Sequence, residues 1–158
     1  MSQILKFTCN NNPVEVLIKP EMTLLEVLRD KLGVTSPKCG CNHGDCGACT
    51  VMMDGVAVKS CTVLAPTVEG KSVLTVEGLY KGQELHPLQK AVIETGAPQC
   101  GFCTPGIIMA GKAFLDKNPN PTYEEVAEAL AGNLCRCTGY TKYIEAVVEA
   151  SKGTFGSL

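Results

Sequence analysis

The sequence predicts an α+β protein in two parts: a small mixed sheet with one helix packed across it, followed by four short helices. Three observations carry this. Apolar residues alternate along residues 3–18, and a helix start signal with helical spacing follows. Strand periodicity ends near residues 77–84 and helical periodicity replaces it. Eight of the ten cysteines fall into two groups of four, one group in each part. These place an N-terminal domain at 1–78 and a C-terminal domain at 79–158.

The elements follow in order. Leu5, Phe7 and Cys9 alternate with Lys6 and Thr8, the pattern of a half-buried strand. The run 10–13, Asn-Asn-Asn-Pro, is a turn, and Val14, Val16 and Ile18 form the second arm of a hairpin. Thr23 and Glu26 make a capping box, so a helix follows with Leu24, Leu25, Leu28 and Leu32 on its apolar side and Gly33 closing it. Asp54-Gly55 between Val51–Met53 and Val56–Lys59 is a two-residue hairpin signal. Val73–Val76 is the last strand. Pro87 then opens a helix that runs to Thr95, with Leu88, Ala91 and Val92 inward and Gly96 after it. Thr104-Pro105 opens the next, with Ile107, Ile108, Phe114 and Leu115 as its apolar face. Ala110 and Gly111 on that helix are small enough for close contact. Thr122 and Glu125 form a second capping box ahead of Val126, Ala129 and Leu130. Tyr140, Tyr143, Ile144, Val147 and Val148 complete a fourth amphipathic helix, so the second part reads as a small bundle.

Composition narrows the function. A net charge of −2 lacks the footprint of a nucleic-acid binder. No apolar run approaches the roughly 18 residues of a membrane span. The N-terminus has no basic segment followed by a long apolar stretch, so no secretory signal is expected and the chain is assigned to the cytoplasm. Ten cysteines in that compartment favour metal ligation or redox chemistry over a disulfide framework.

The first group sits in a glycine-rich loop, Cys39-Gly-Cys41-Asn-His-Gly-Asp-Cys46-Gly-Ala-Cys49, with Cys61 at the end of the following hairpin. Cys41, Cys46 and Cys49 give C-x4-C-x2-C, and Cys61 supplies a separate fourth thiolate: the plant-type [2Fe–2S] spacing. Gly40, Gly44 and Gly47 suit a loop that must bring backbone N–H groups toward sulfur. The second group is Cys100-x2-Cys103 with Cys135-x-Cys137, each pair in a loop between helices. Four thiolates at that spacing fit either a second cluster or a structural zinc ion. Cys103 and Cys137 each precede a predicted helix, and two helix N-termini would favour a centre that gains negative charge on reduction.

The loop 41–51 with Ser60-Cys61, the stretch 99–109 (Gln-Cys-Gly-Phe-Cys-Thr-Pro-Gly-Ile-Ile-Met) and the stretch 130–140 (Leu-Ala-Gly-Asn-Leu-Cys-Arg-Cys-Thr-Gly-Tyr) resemble the two cluster motifs of the xanthine dehydrogenase/oxidase family. The resemblance covers about residues 3–150 and points to the small iron–sulfur subunit of heteromeric molybdenum hydroxylases. It implies a β-grasp plant-type ferredoxin domain followed by a four-helix-bundle domain, each with one [2Fe–2S] cluster. It further implies that Cys41, Cys46, Cys49 and Cys61 hold the outer cluster, and Cys100, Cys103, Cys135 and Cys137 the inner one. Gln99 and the neighbourhood of Cys137 would touch a molybdopterin-type cofactor on a large partner subunit. A medium subunit would carry FAD, in a dimer of heterotrimers.

Some residues stand outside these motifs. Cys39 is where the family usually has another residue, and Cys41 keeps the expected offset, so Cys39 is read as an idle surface thiol. Cys41-Asn-His43 spells half of a Rieske-type pair, but His86, the only other histidine, has no cysteine at the matching offset. His43 is read as a partly exposed loop residue and Cys9 as a core strand residue. No phosphate loop or dinucleotide fingerprint is present, so the substrate is chosen on another chain. A free-standing two-cluster ferredoxin and a zinc-binding interaction module are the competing functions.

Overall fold

The computed structural model describes residues 2–80, 82–138 and 140–158. Met1, Lys81 of the predicted boundary stretch and Gly139 of the second motif lie outside the described residues. β1 (Gln3–Cys9) pairs antiparallel with β2 (Asn12–Ile18). The turn between them is only Asn10 and Asn11, both at positive φ (50° and 64°), a conformation asparagine tolerates. The strand therefore resumes at Asn12, earlier than expected. Pro13 is accepted in it because β2 is an edge strand and needs no donor on its open side.

Thr23 and Glu26 form the predicted capping box at the start of α1 (Leu24–Glu26). The helix then widens to i→i+5 bonding over Val27–Lys31 and closes at Gly33, φ 67°. β3 (Thr50–Met53) and β4 (Val56–Lys59) form a hairpin over Asp54 and Gly55, both at positive φ as a primed turn requires. β5 (Ser72–Leu74) runs parallel to β1 and antiparallel to β3, giving the sheet order β2-β1-β5-β3-β4. It stops two residues before the predicted end. The Thr75 N–H donates to Asn10 Oδ1 (2.8 Å) and its hydroxyl to Glu77 Oε2 (2.6 Å), which takes Thr75 out of the ladder and into a 3-10 turn over Val76–Gly78.

Among the described residues four helices follow: α2 (Pro87–Glu94), α3 (Thr104–Leu115), α4 (Tyr123–Leu130) and α5 (Thr141–Ser151). Tyr140 was expected inside the last helix, but its φ of 72° excludes it, and the side chain is exposed. Two large apolar clusters result, with a small third one of Leu25, Cys49 and Cys61 beside the first cysteine loop. Leu5, Phe7, Leu24, Leu28, Val51 and Val73 fill the space between sheet and α1. Leu88, Ile107, Met109, Val126, Tyr143 and Val147 fill the space among the helices. Met52 of β3 points into the helical cluster, so α3 packs on the sheet. Among the described residues no helix is long and apolar enough to cross a membrane.

Candidate metal centres

The first cysteine loop is tied down at both ends. Arg29 Nη1 donates to the carbonyls of Thr35 (2.9 Å) and Pro37 (2.8 Å). The Ser36 N–H donates to Glu77 Oε1 (2.9 Å), and the Ser36 hydroxyl to Glu77 Oε2. At the far end Lys38 N–H reaches Ala48 O (2.9 Å), which closes the loop on itself. Ser60, fully buried, donates its hydroxyl to Cys49 O (2.7 Å) and so brings the Cys61 segment against the loop. Gly44 and Gly47 have φ of 92° and 71°, as the loop reading anticipated. Gly40 is needed for space instead: a Cβ there would lie 2.7 Å from Cys46 Sγ.

Inside the loop, Cys46 N–H donates to Cys41 Sγ (3.4 Å). Backbone N–H groups of Cys46, then of His43, bring the Cys41 thiol down to about 6. Burial, then the neighbouring Cys49 side chain, pushes the Cys61 thiol up to about 12. The sulfurs thus interact as Cys41 with Cys46 and Cys49 with Cys61, and Cys61 also feels Cys41. His43 pairs with Asp45 (2.9 Å) out in solvent, and Cys39 is exposed. Cys9 is buried in β1, and that burial, then the charge of Glu77, pushes its thiol up to about 11.

The second group shows the same pairing. Cys100 interacts with Cys137 and Cys103 with Cys135, and Cys135 also acts on Cys100 and Cys137. Cys103 and Cys135 are buried; Cys100 and Cys137 are exposed, as is Gln99 beside them. Burial raises the Cys135 thiol, but hydrogen bonds from the Thr138 hydroxyl and N–H outweigh it and bring the group to about 7. Cys103 is the N-cap of α3, whereas α5 begins only at Thr141, four positions beyond Cys137. The expected help from two helix ends therefore reduces to one adjacent end. Tyr143 comes from α5 to place its hydroxyl 3.6 Å from Cys103 Sγ and 2.7 Å from Thr104 Oγ1. The periodicity marked it only as a core residue.

The two groups meet through backbone. Leu134 N–H donates to Cys46 O (2.9 Å), and Asn133 Nδ2 donates to Gly47 O (2.9 Å). Gly106 at the start of α3 lies so close that a Cβ there would come within 2.3 Å of Gly47 O. The Phe102 ring lies over Gly40, 3.5 Å from where a Cβ would be. Asn133 is 5% exposed and Gly106 is buried, and neither was picked out by spacing, because each acts across a gap in sequence.

The donor chemistry fits iron–sulfur clusters. Eight thiols in two sets of four match the ligand count of two [2Fe–2S] centres, in which each iron takes two thiolates. The first set also has the plant-type C-x4-C-x2-C spacing with a separate fourth thiol, which a [2Fe–2S] cluster explains.

Fold and thiol pattern define a tandem iron–sulfur protein, and the comparisons agree in both halves. A 2Fe-2S iron-sulfur cluster binding domain matches residues 7–75, and a [2Fe-2S] binding domain matches residues 75–148. The nicotinate dehydrogenase small FeS subunit of Eubacterium barkeri is 46% identical over 138 residues, covering 87% of this chain and 88% of that one. The xanthine dehydrogenase iron-sulfur-binding subunit of Escherichia coli O157:H7 is 48% identical over 147 residues, 92% of each. The crystal structure of quinoline 2-oxidoreductase from Pseudomonas putida 86 superposes with a TM-score of 0.94 at 40% identity, covering 96% of this chain and 95% of the matched one. The chain belongs to the family of small iron–sulfur subunits of the xanthine dehydrogenase type of molybdenum hydroxylase. Its role is that of an electron-transfer subunit in an oxidoreductase complex.

Proposed function

We propose that this chain carries electrons between a molybdopterin-type cofactor on a large partner subunit and FAD on a medium one, within a dimer of heterotrimers. Cys41, Cys46, Cys49 and Cys61 hold the outer [2Fe–2S] cluster. Cys100, Cys103, Cys135 and Cys137 hold the inner one, and Gln99 with Cys137 faces the pterin. Each cluster, when bound, supplies one-electron chemistry without protons or substrate contact. The chain's own contribution is positioning. Ser60, Arg29 and Glu77 fix the first ligand loop, and α3 with the 133–134 turn fixes the second against it.

The observation that carries the proposal is the Leu134 N–H to Cys46 O bond. It joins a ligand residue of one group to the residue preceding a ligand of the other, so two donor sets from different halves form one connected unit. One large apolar cluster mostly between sheet and α1, another mostly among the helices, and domain matches that meet at residue 75 support domains at 1–78 and 79–158. The central parallel β1–β5 pair supports a β-grasp sheet, and α2–α5 a four-helix bundle. Exposure of Gln99, Cys100 and Cys137 supports a partner at that end. Ten cysteines without a disulfide suit the reducing cytoplasm.

Iron and acid-labile sulfide analysis tests the ligand sets: about four of each per chain are expected, with two distinct paramagnetic signals after reduction. Zinc in place of iron at the second set would overturn the two-cluster assignment. Elution of the native chain as an iron-loaded monomer would favour a free-standing ferredoxin over a subunit.

A further inference from the structure

We propose that the Tyr143 hydroxyl donates a hydrogen bond to the sulfur of Cys103 and, through it, raises the reduction potential of the centre held by the second thiol group. The inference rests on Cys103 being a ligand, as assigned above. Its basis is proton accounting at one buried site.

Tyr143 is 2% exposed, on α5, and reaches across the helical core to the N-terminus of α3. Its oxygen lies 2.7 Å from Thr104 Oγ1 and 3.6 Å from Cys103 Sγ, within the range of a bond to sulfur. As a free thiol, Cys103 can donate to the phenol oxygen, leaving the phenol proton for Thr104. As a metal-bound thiolate, Cys103 has no proton and can only accept. One chain of bonds then uses both hydroxyl protons: Thr104 Oγ1–H to Tyr143 oxygen, and Tyr143 O–H to Cys103 Sγ. Metal binding would reverse the direction of this pair of bonds without moving a heavy atom.

A second hydroxyl lies near this group, but its proton is shared with a backbone carbonyl. Thr138 Oγ1 is 3.5 Å from Cys135 Sγ, yet it donates to Ala97 O at 3.0 Å. Tyr143 differs in that its proton, once Thr104 donates to the phenol oxygen, has the Cys103 sulfur as its acceptor. A hydrogen bond from a buried donor stabilises a thiolate more as the centre it ligates gains negative charge, so it favours the reduced state. The consequence is directional: the second centre is held at a higher potential than its sulfurs alone would set, and the first centre, whose sulfur bond among the described residues comes from the Cys46 N–H and not from Tyr143, is unaffected.

The test is potentiometric titration of both paramagnetic signals in the native complex, wild type against Tyr143→Phe. Cys103→Ser is made in parallel. It should abolish or alter one signal and thereby identify the second centre; an unaltered pair of signals would remove the ligand assignment itself rather than the role of Tyr143. With that signal identified, Tyr143→Phe should lower its reduction equilibrium constant by roughly tenfold. That corresponds to a fall of about 59 mV for a one-electron couple. The other signal should stay in place. Thr104→Val keeps the phenol but removes the group that polarises it, and should shift the same signal in the same direction by less. If Tyr143→Phe fails to assemble the second centre, Thr104→Val is decisive alone: a fall supports the proposal, and no change overturns it. An assembled Tyr143→Phe protein with an unmoved potential, or with both signals shifted equally, also overturns it.

Discussion

Cys39 and Cys41 are two residues apart and differ in what surrounds them. The Cys41 sulfur accepts a backbone N–H from Cys46 and responds to Cys46 as a neighbouring thiol, whereas Cys39 is exposed. Cys39→Ser is expected to leave both paramagnetic signals intact, and Cys41→Ser to remove one; loss of a signal in Cys39→Ser would move the ligand assignment by two positions. Gln99 is exposed beside Cys100 and lies outside the proposed ligand sets. Its amide can donate and accept, which suits the mixed edge of a pterin. Gln99→Ala should keep both clusters but weaken cofactor positioning by about 0.5–1.5 kcal/mol, the worth of one neutral hydrogen bond. Rapid-mixing spectroscopy of the complex with substrate should show slower reduction of the inner cluster, and unchanged rates would remove Gln99 from the interface.

At the scale of elements, the decisive contact is α3 against the first cysteine loop. Gly106 sits in the first turn of α3, where an added Cβ would meet Gly47 O at 2.3 Å and Ala48 Cα at 3.2 Å. Both are backbone atoms, so neither can swing aside as a side chain tip could. Gly106→Ala should force α3 away from the loop at a cost of roughly 1–3 kcal/mol, the usual penalty for overpacking. The expected readouts are a lower melting temperature and a weaker magnetic interaction between the two reduced clusters. A melting temperature equal to wild type would mean that the two halves can separate slightly without loss.

For the whole molecule, one carboxylate links the strand end, the turn over Val76–Gly78 and the first loop. Glu77 accepts the Ser36 N–H and hydroxyl and the Thr75 hydroxyl, while Asn10 Oδ1 holds Thr75 N–H. Burial by itself pushes the Glu77 carboxyl up, but the hydrogen bonds from Ser36 and Thr75 outweigh it and hold it below its ordinary 4.5. A depressed native value means that the unfolded chain binds the proton more readily. The stabilisation is therefore complete above the unfolded value and is lost as pH falls through the native one. Glu77→Gln replaces an acceptor of three bonds with a group that is half donor. It should cost on the order of 1–3 kcal/mol at pH 7. Melting temperatures measured from pH 7 down to pH 3 should converge for the two proteins at the acid end. A constant gap across that range would show that the carboxylate's charge is not what matters.

Several features were legible in the sequence because their causes are local. The capping boxes at Thr23 and Thr122, the Asp54-Gly55 turn and the closing Gly33 and Gly96 each depend on residues within a few positions of one another. The cysteine spacing likewise showed two sets of four, since a plant-type loop contributes three of its thiols from one short stretch. Other features were decided only by folding. Thr75 leaves its strand because Asn10, distant in sequence, takes its N–H. His86 caps α2 through Nδ1 to Leu88 N–H (3.2 Å), a cap chemistry that the usual N-cap residues do not signal. Asn133 and Leu134 tie the two thiol groups together across more than eighty residues, and Tyr143 meets Cys103 across forty. Spacing can state which atoms are available as ligands, because ligand identity is written residue by residue. Which hydroxyl faces which sulfur, and which carbonyl joins the two loops, depends on how α3 and α5 pack on the sheet, and that packing exists only in the folded chain.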